Sequence, residues 1–251
     1  MKSFIATIVL ACTVSLPALA TDKPLSEALS AVDLVEAKSP ITTISIDGKD
    51  IDVSITAWSD TLGGQNRFVG AADLGIYENS LTVTNRAGDG DDHYIDNGRY
   101  FDMVLFSFGE AVTLKGASFY SIDRNKVANG VNDVTVAGLS DNVFGLFQSG
   151  NNTWSDIAGK AISSGTYGIK GLQSTFDGLT SAKYWLVGAY NSVFSDDNYT
   201  SNLIGFKLSS LNIEAKGPSI EEPPTEVSEP GALALMSLGL GLVLYRRKRR
   251  A

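Results

Sequence analysis

The chain holds one cysteine and one histidine among 251 residues. Cys12 lies in an N-terminal stretch that reads as a removable leader, so the mature protein would carry no thiol. That excludes disulfide staples, a thiol nucleophile and a zinc site built from cysteine and histidine. The lone His93 would need a nucleophile and an orienting acid beside it, and chain order places neither there. An imidazole hydrogen-bonded at a strand entry is the simpler reading. There is no Gly-x-Ser-x-Gly elbow, no His-Glu-x-x-His pair and no phosphate-cradling glycine loop. No internal repeat of fixed period is present either.

Positive charge is also scarce, and it is unevenly placed. All 28 acidic residues lie between 21 and 230, whereas six of the 20 bases lie outside that span, leaving 14 within it and a net charge of −14 there. Such a segment repels nucleic acid and anionic membrane surfaces. It suits cations, neutral polysaccharide or plain solubility.

Both ends read as processing segments. Residues 1–20 combine Lys2, an apolar run Phe4–Ala11 and a small-x-small site Ala18-Leu19-Ala20, the pattern of a secretory signal peptide. Signal peptidase would cut between Ala20 and Thr21. Val9-Leu10-Ala11-Cys12 is a loose lipoprotein box, but Leu10 is a poor neighbour for a modified cysteine. At the other end, Val227-Ser228-Glu229-Pro230 precedes fifteen uncharged residues, 231–245, and then Arg246-Arg247-Lys248-Arg249-Arg250. As a helix, 231–245 would reach about 22 Å. That falls short of the ~30 Å hydrocarbon core unless the bilayer thins or Arg and Tyr side chains snorkel. The basic cluster would hold the C-terminus in the cytoplasm.

Between the ends the period is two. Ile41–Ile46 and Ile51–Trp58 flank Asp47-Gly48, a strong hairpin signal. Further strands are expected at 67–71, 75–77, 81–84, 100–108, 111–122, 132–138, 143–148, 161–169, 183–189 and 203–213. Gly- and Asn-rich turns separate them. This pattern predicts an all-β fold, an antiparallel β-sandwich of jelly-roll type spanning 41–213. About 170 residues can bury roughly 70% of their unfolded surface, enough for a core without disulfides. Residues 21–40 place Leu25, Ala28, Leu29, Val32 and Val35 at near-helical spacing, predicting a short amphipathic helix or a leading arm. Residues 214–226 are acidic and proline-rich, the composition of an extended stalk.

The tail resembles the PEP-CTERM sorting signal recognised by exosortases of Gram-negative bacteria: a Pro-Glu-Pro signature, a Gly/Leu/Ala-rich span and a terminal Arg/Lys cluster. Ser228 replaces the first proline of that signature. An ordinary single-pass tail anchor would share the hydrophobicity and the basic charges, though not the signature. A second resemblance lies inside the chain. Ala57-Trp58-Ser59-Asp60-Thr61, Leu74-Gly75-Ile76, His93-Tyr94-Ile95-Asp96-Asn97, Asp102–Phe108, Tyr184–Ala189 and Ile204–Leu208 occur in that order. Together they are similar to the ectodomain of exosortase-dependent surface proteins. The resemblance implies export, transient anchoring in the inner membrane, and release to the cell surface or extracellular matrix near exopolysaccharide. It implies no defined reaction.

Three sets of side chains are candidates for chemistry. Asp89, Asp91, Asp92, Asp96, Asn97 and Asp102 could supply oxygens to calcium, which takes six to eight such ligands. The alternative is a solvated acidic loop capping its own turns. Asp196-Asp197-Asn198 is a weaker second cluster. Trp154, set in Asn151-Asn152-Thr153-Trp154-Ser155-Asp156, reads as an exposed aromatic for sugar stacking, whereas Trp185 in an apolar run reads as core. Paired carboxylates for glycoside hydrolysis are disfavoured, because the acids fall in expected loops and stalk. The expectation is therefore a non-enzymatic, exported surface protein. The alternative is a carbohydrate-binding module or weak glycosidase with a plain membrane anchor.

Overall fold

Alternation of apolar and polar residues is realised, among the described residues, in twelve strands, all paired antiparallel. The computed structural model describes residues 25–30 (backbone only), 42–46, 49–62, 64, 66–86, 93–123, 133–195 and 204–215. The signal peptide and its cleavage site, the stalk from 216, the proposed span 231–245 and the basic tail lie outside these residues. Among the described residues, no helix is long and apolar enough to cross a membrane.

The strands are β1 (Leu25–Ser30), β2 (Thr42–Ile46), β3 (Lys49–Asp60), β4 (Val69–Tyr77), β5 (Ser80–Thr84), β6 (Ile95–Asp96), β7 (Asp102–Ile122) and β8 (Asp133–Leu139). Two short helices follow, α1 (Phe144–Ser149) and α2 (Trp154–Ala158), and then β9 (Ala161–Gly168), β10 (Gln173–Thr175), β11 (Ala182–Ala189) and β12 (Gly205–Ala215). A 3-10 turn, Ser192–Phe194, lies between β11 and β12. Their ladder runs β1-β12-β5-β4-β3-β7-β11-β8-β9, and a further β12–β7 pairing closes β12, β5, β4, β3 and β7 into a barrel. The antiparallel all-β expectation holds. In place of two separate jelly-roll sheets, one ladder closes on itself and extends from β7 through β11, β8 and β9.

β7 makes this possible. The turn expected near Gly109 does not form, and the strand runs for 21 residues. Its first half, 102–108, pairs with β3 on one side and β11 on the other. Its second half, 112–122, changes partner to β12 and carries β10 opposite. The first half is buried on both faces, which explains the unbroken apolar run Met103-Val104-Leu105-Phe106. Val104 and Phe106 join one core with Val53, Phe119, Trp185 and Phe206. Met103 and Leu105 join a second with Trp58, Phe147, Trp154 and Leu186. At Gly188 a Cβ would collide with the Met103 side chain and the Asp102 carbonyl, so β11 lies closer to β7 than any other residue would allow.

Three local expectations are corrected. Residues 144–149 are helical, ended by Gly150 in the left-handed conformation at φ 67°, because Phe147 caps the second core from a helix face. Residues 25–30 are a strand and not a helix, paired residue for residue with the end of β12 from Leu25↔Ala215 to Ser30↔Ser210. Glu214, expected to begin the stalk, is still in the sheet opposite Thr113, with its carboxylate 3.4 Å from the Lys115 ammonium. The hairpin expectation is met in register, with Ile46 opposite Lys49 across Asp47-Gly48.

Candidate functional site

Buried polar groups cluster where β6 pairs with the start of β12, and the described calcium candidates sit there. Asp96 ends β6, Asp102 opens β7, and Asn97 lies between; all three are at most 5% exposed. Asn97 is a backbone tie: its amide donates to the Tyr190 carbonyl at 2.8 Å, and its side-chain oxygen accepts from Ile204 N–H at 2.8 Å. Asp96 accepts from Gly98 N–H at 2.7 Å, forming a local turn, while its own N–H points at Asp102 Oδ2, 3.4 Å away. Asn85 donates to the Ser59 hydroxyl and to the Asp60 carbonyl, fastening β3 to the end of β5. Asn97 therefore acts as a structural tie between three segments. Among the described residues no group of three or more His, Cys, Asp or Glu side chains could hold a metal ion. Asp89, Asp91, Asp92 and the cluster at 196–198 lie outside the described residues.

Asp60 is the carboxylate that sequence reasoning missed. It ends β3 inside the domain, 1% exposed, with Oδ2 accepting from Phe101 N–H at 3.2 Å and Oδ1 lacking a protein partner. Burial pushes its pKa from 3.8 to about 7, opposed by the Phe101 hydrogen bond and by the charge of Arg67. The expectation that acids fall only in loops and stalk is therefore overturned by Asp60, Asp96 and Asp102. A charge at the end of a strand is ordinary in sequence; its burial is a tertiary outcome that places Oδ2 on the Phe101 N–H.

The sugar-stacking expectation for Trp154 is also overturned. Its flanks are polar because they cap α2: Thr153 accepts from Asp156 N–H at 3.3 Å, and Asp156 accepts from Thr153 N–H at 2.8 Å. The Thr153 N–H and the Thr153 hydroxyl, which also donates to the Asp156 carboxylate at 2.8 Å, hold that carboxyl below its ordinary range. Trp154, the first helical residue, points the other way. It is fully buried, edge-on to Phe194 at 6.1 Å. Trp185 is core as expected, with its indole N–H shared between the Val112 and Ala182 carbonyls at 3.1 and 3.0 Å.

The exposed aromatic surface is made by other residues. Tyr77 closes β4, and the two-residue turn Glu78-Asn79 returns the chain to Ser80 with both residues at positive φ, 51° and 60°. Lys207 on β12 lies beneath, 6% exposed, its ammonium 3.5 Å from the Tyr77 ring centre and 5.0 Å from that of Tyr94. The Glu78 carboxylate is 3.7 Å from the same ammonium. His93 stacks on Tyr77 at 5.0 Å and 17°. Glu78 also accepts a hydrogen bond from the Tyr120 hydroxyl, and its charge holds that phenol above its ordinary range. Cation–π contact and ion pairing satisfy a lysine that would otherwise snorkel to water. His93 and Tyr94 were legible as a polar segment; the contributions of Tyr77, Tyr120 and Lys207 were not, since they come from three other strands.

A separate cleft of about 430 Å³ lies between β9 and the 3-10 turn, lined by Ser164, Gly165, Thr166, Phe194 and neighbours. Its lining carries no titratable side chain, and none of the buried carboxylates reaches it. No family model matches the chain, and neither a curated protein nor a solved structure is significantly similar to it.

Proposed function

We propose that the chain is an exported, exosortase-processed protein of the cell surface or extracellular matrix, whose β domain is displayed for binding and structure, not for catalysis. In this reading signal peptidase removes 1–20, the span 231–245 holds the precursor in the inner membrane as a single helix, and exosortase acts at the Ser228-Glu229-Pro230 signature. The supporting sequence order is leader, strands, acidic proline-rich stretch, uncharged span and basic terminus.

The observation that carries the reading is the pairing of the domain's two ends. Leu25 lies opposite Ala215. The first and last residues of the described domain therefore lie side by side. β1 and β7 flank β12, the strand that precedes the proposed tether, along six and nine paired positions. The buried polar cluster supports a structural reading of the acids, since Asn97 and Asp96 spend their side chains on backbone groups.

Mass spectrometry of the mature protein tests the proposal. In cells with a functional exosortase, the C-terminal peptide should lack Arg246–Arg250; recovery of an intact basic terminus overturns it and returns the tail to a plain anchor.

A further inference from the structure

The patch around Lys207 has two properties that packing alone does not require. The first is exposure in a cluster. Tyr77 and Tyr120 remain 39% and 48% exposed although Lys207, which lies under the Tyr77 ring, is buried. Single exposed apolar residues are ordinary on a protein surface, but a contiguous group rimmed by polar ones marks an interaction site. The second is backbone strain. Glu78, Asn79, His93 and Leu172 are the four non-glycine residues at positive φ among the described residues, and the first three build or border this patch. Asparagine and histidine tolerate that conformation; glutamate does so only when its surroundings hold it there. At Glu78, asparagine, aspartate or glycine would suit a two-residue hairpin turn better. A glutamate is kept where its carboxylate engages both Lys207 and Tyr120.

We infer that Tyr77, Tyr120, Glu78 and His93, seated on Lys207, form a binding platform for a neutral polysaccharide. Tyrosine offers a flat apolar face and a hydroxyl at once, so it can lie against the C–H face of a pyranose ring while bonding its hydroxyls. Glu78 is fixed between an ammonium and a phenol, and its remaining acceptor capacity faces outward at a set position; its side chain is 48% exposed. Lys207 acts as the spacer. Its positive charge is neutralised by Glu78 and absorbed by the two rings, so it orients the tyrosines without presenting a free cation to the ligand. A polyanion is disfavoured because the span 21–230 carries a net charge of −14. A cationic ligand would compete with Lys207 for the same ring. A neutral sugar chain meets neither obstacle. Lys207 lies eight residues before Ala215 on β12, about 26 Å along the strand. The inference rests on the surface-display reading and adds to it a site and a ligand class.

Affinity electrophoresis of the full-length protein in a non-denaturing detergent is the test, through gels containing a neutral β-glucan, a neutral galactomannan or an acidic polyuronate. At least one neutral polymer should retard the protein and the polyuronate should not. Tyr120→Ala removes one stacking ring and should weaken retardation about tenfold, with an unchanged thermal melt. Glu78→Gln should weaken it by a smaller factor. Absence of retardation by both neutral polymers, retardation by the polyuronate alone, or equal retardation of wild type and Tyr120→Ala each overturns the inference. The C-terminal peptide from the producing cells separates the two proposals: a processed terminus without retardation removes only the polysaccharide site, whereas an intact terminus with retardation removes only exosortase processing.

Discussion

The domain has two concentrations of polar side chains, and they are built on opposite principles. In the buried polar cluster, Asn97, Asn85 and Asp96 bond to backbone N–H and carbonyl groups and vanish from the surface. At the platform, Glu78 pairs with Lys207 and faces the Tyr120 phenol, Lys207 lies under the Tyr77 ring, and the aromatic faces are left in water. Side chains committed to backbone hold strands together and have little left for a ligand. Side chains committed to each other form a preset surface. The contrast separates structural polarity from polarity available for binding.

The sharpest way to break this contrast is Asn97→Ala. It leaves the Tyr190 carbonyl and the Ile204 N–H buried without partners, and should lower unfolding free energy by about 3 kcal/mol. Urea denaturation reads this directly, and a loss below about 0.5 kcal/mol would show that the tie is dispensable.

Asp60 gives a smaller effect with a distinctive pH signature. Its pKa is raised in the folded state from 3.8 to about 7, so the folded protein holds a proton that the unfolded chain releases between those values. The contribution is full below about pH 4, is lost as pH rises through about 7, and is flat above that. Stability should therefore fall between pH 4 and 7 by an amount bounded at about 4 kcal/mol. Asp60→Asn should flatten the slope and raise stability at pH 8 by about 2 kcal/mol, the uncharged amide still being a buried polar group. Chemical denaturation across pH checks both; a parallel pH slope in the variant would assign it to another group.

Lys207→Met should have the smallest effect on folding. Methionine fills the space between the tyrosines and removes a buried cation, a replacement that is often neutral for a buried ion pair, so stability should stay within about 1 kcal/mol. Glycan retardation should nevertheless fall, because Glu78 loses its anchor. A stability loss as large as that of Asn97→Ala would erase the distinction between the two regions.

Much of the strand content was legible because alternation is local. Ile51–Trp58 reads as a strand whatever it pairs with, and Asp47-Gly48 dictates a tight return. Residues 144–149 misled because a six-residue apolar segment fits either period, and its choice of helix depends on Phe147 finding the second core. Trp154 misled because capping residues and surface residues share a composition. The site was less legible than the fold. His93 and Tyr94 stood in a conspicuous polar run, but their partner Lys207 is more than a hundred positions away in an unremarkable strand. Asp60 was visible only as part of a family-like pentapeptide, with no sign that its carboxyl would be buried.

The sequence by itself determined the all-β class, the hairpin at 46–49 and the charge asymmetry between the acidic span and the basic terminus. Side-chain period, turn chemistry and net charge need no knowledge of distant neighbours. Tertiary structure alone decided that β7 would run through Gly109 and change partners, that Trp154 would face inward, and that a lysine would lie beneath tyrosines from other strands. Each of these depends on which surfaces meet across the barrel, and burial, desolvation and cation–π contact have no value until they do.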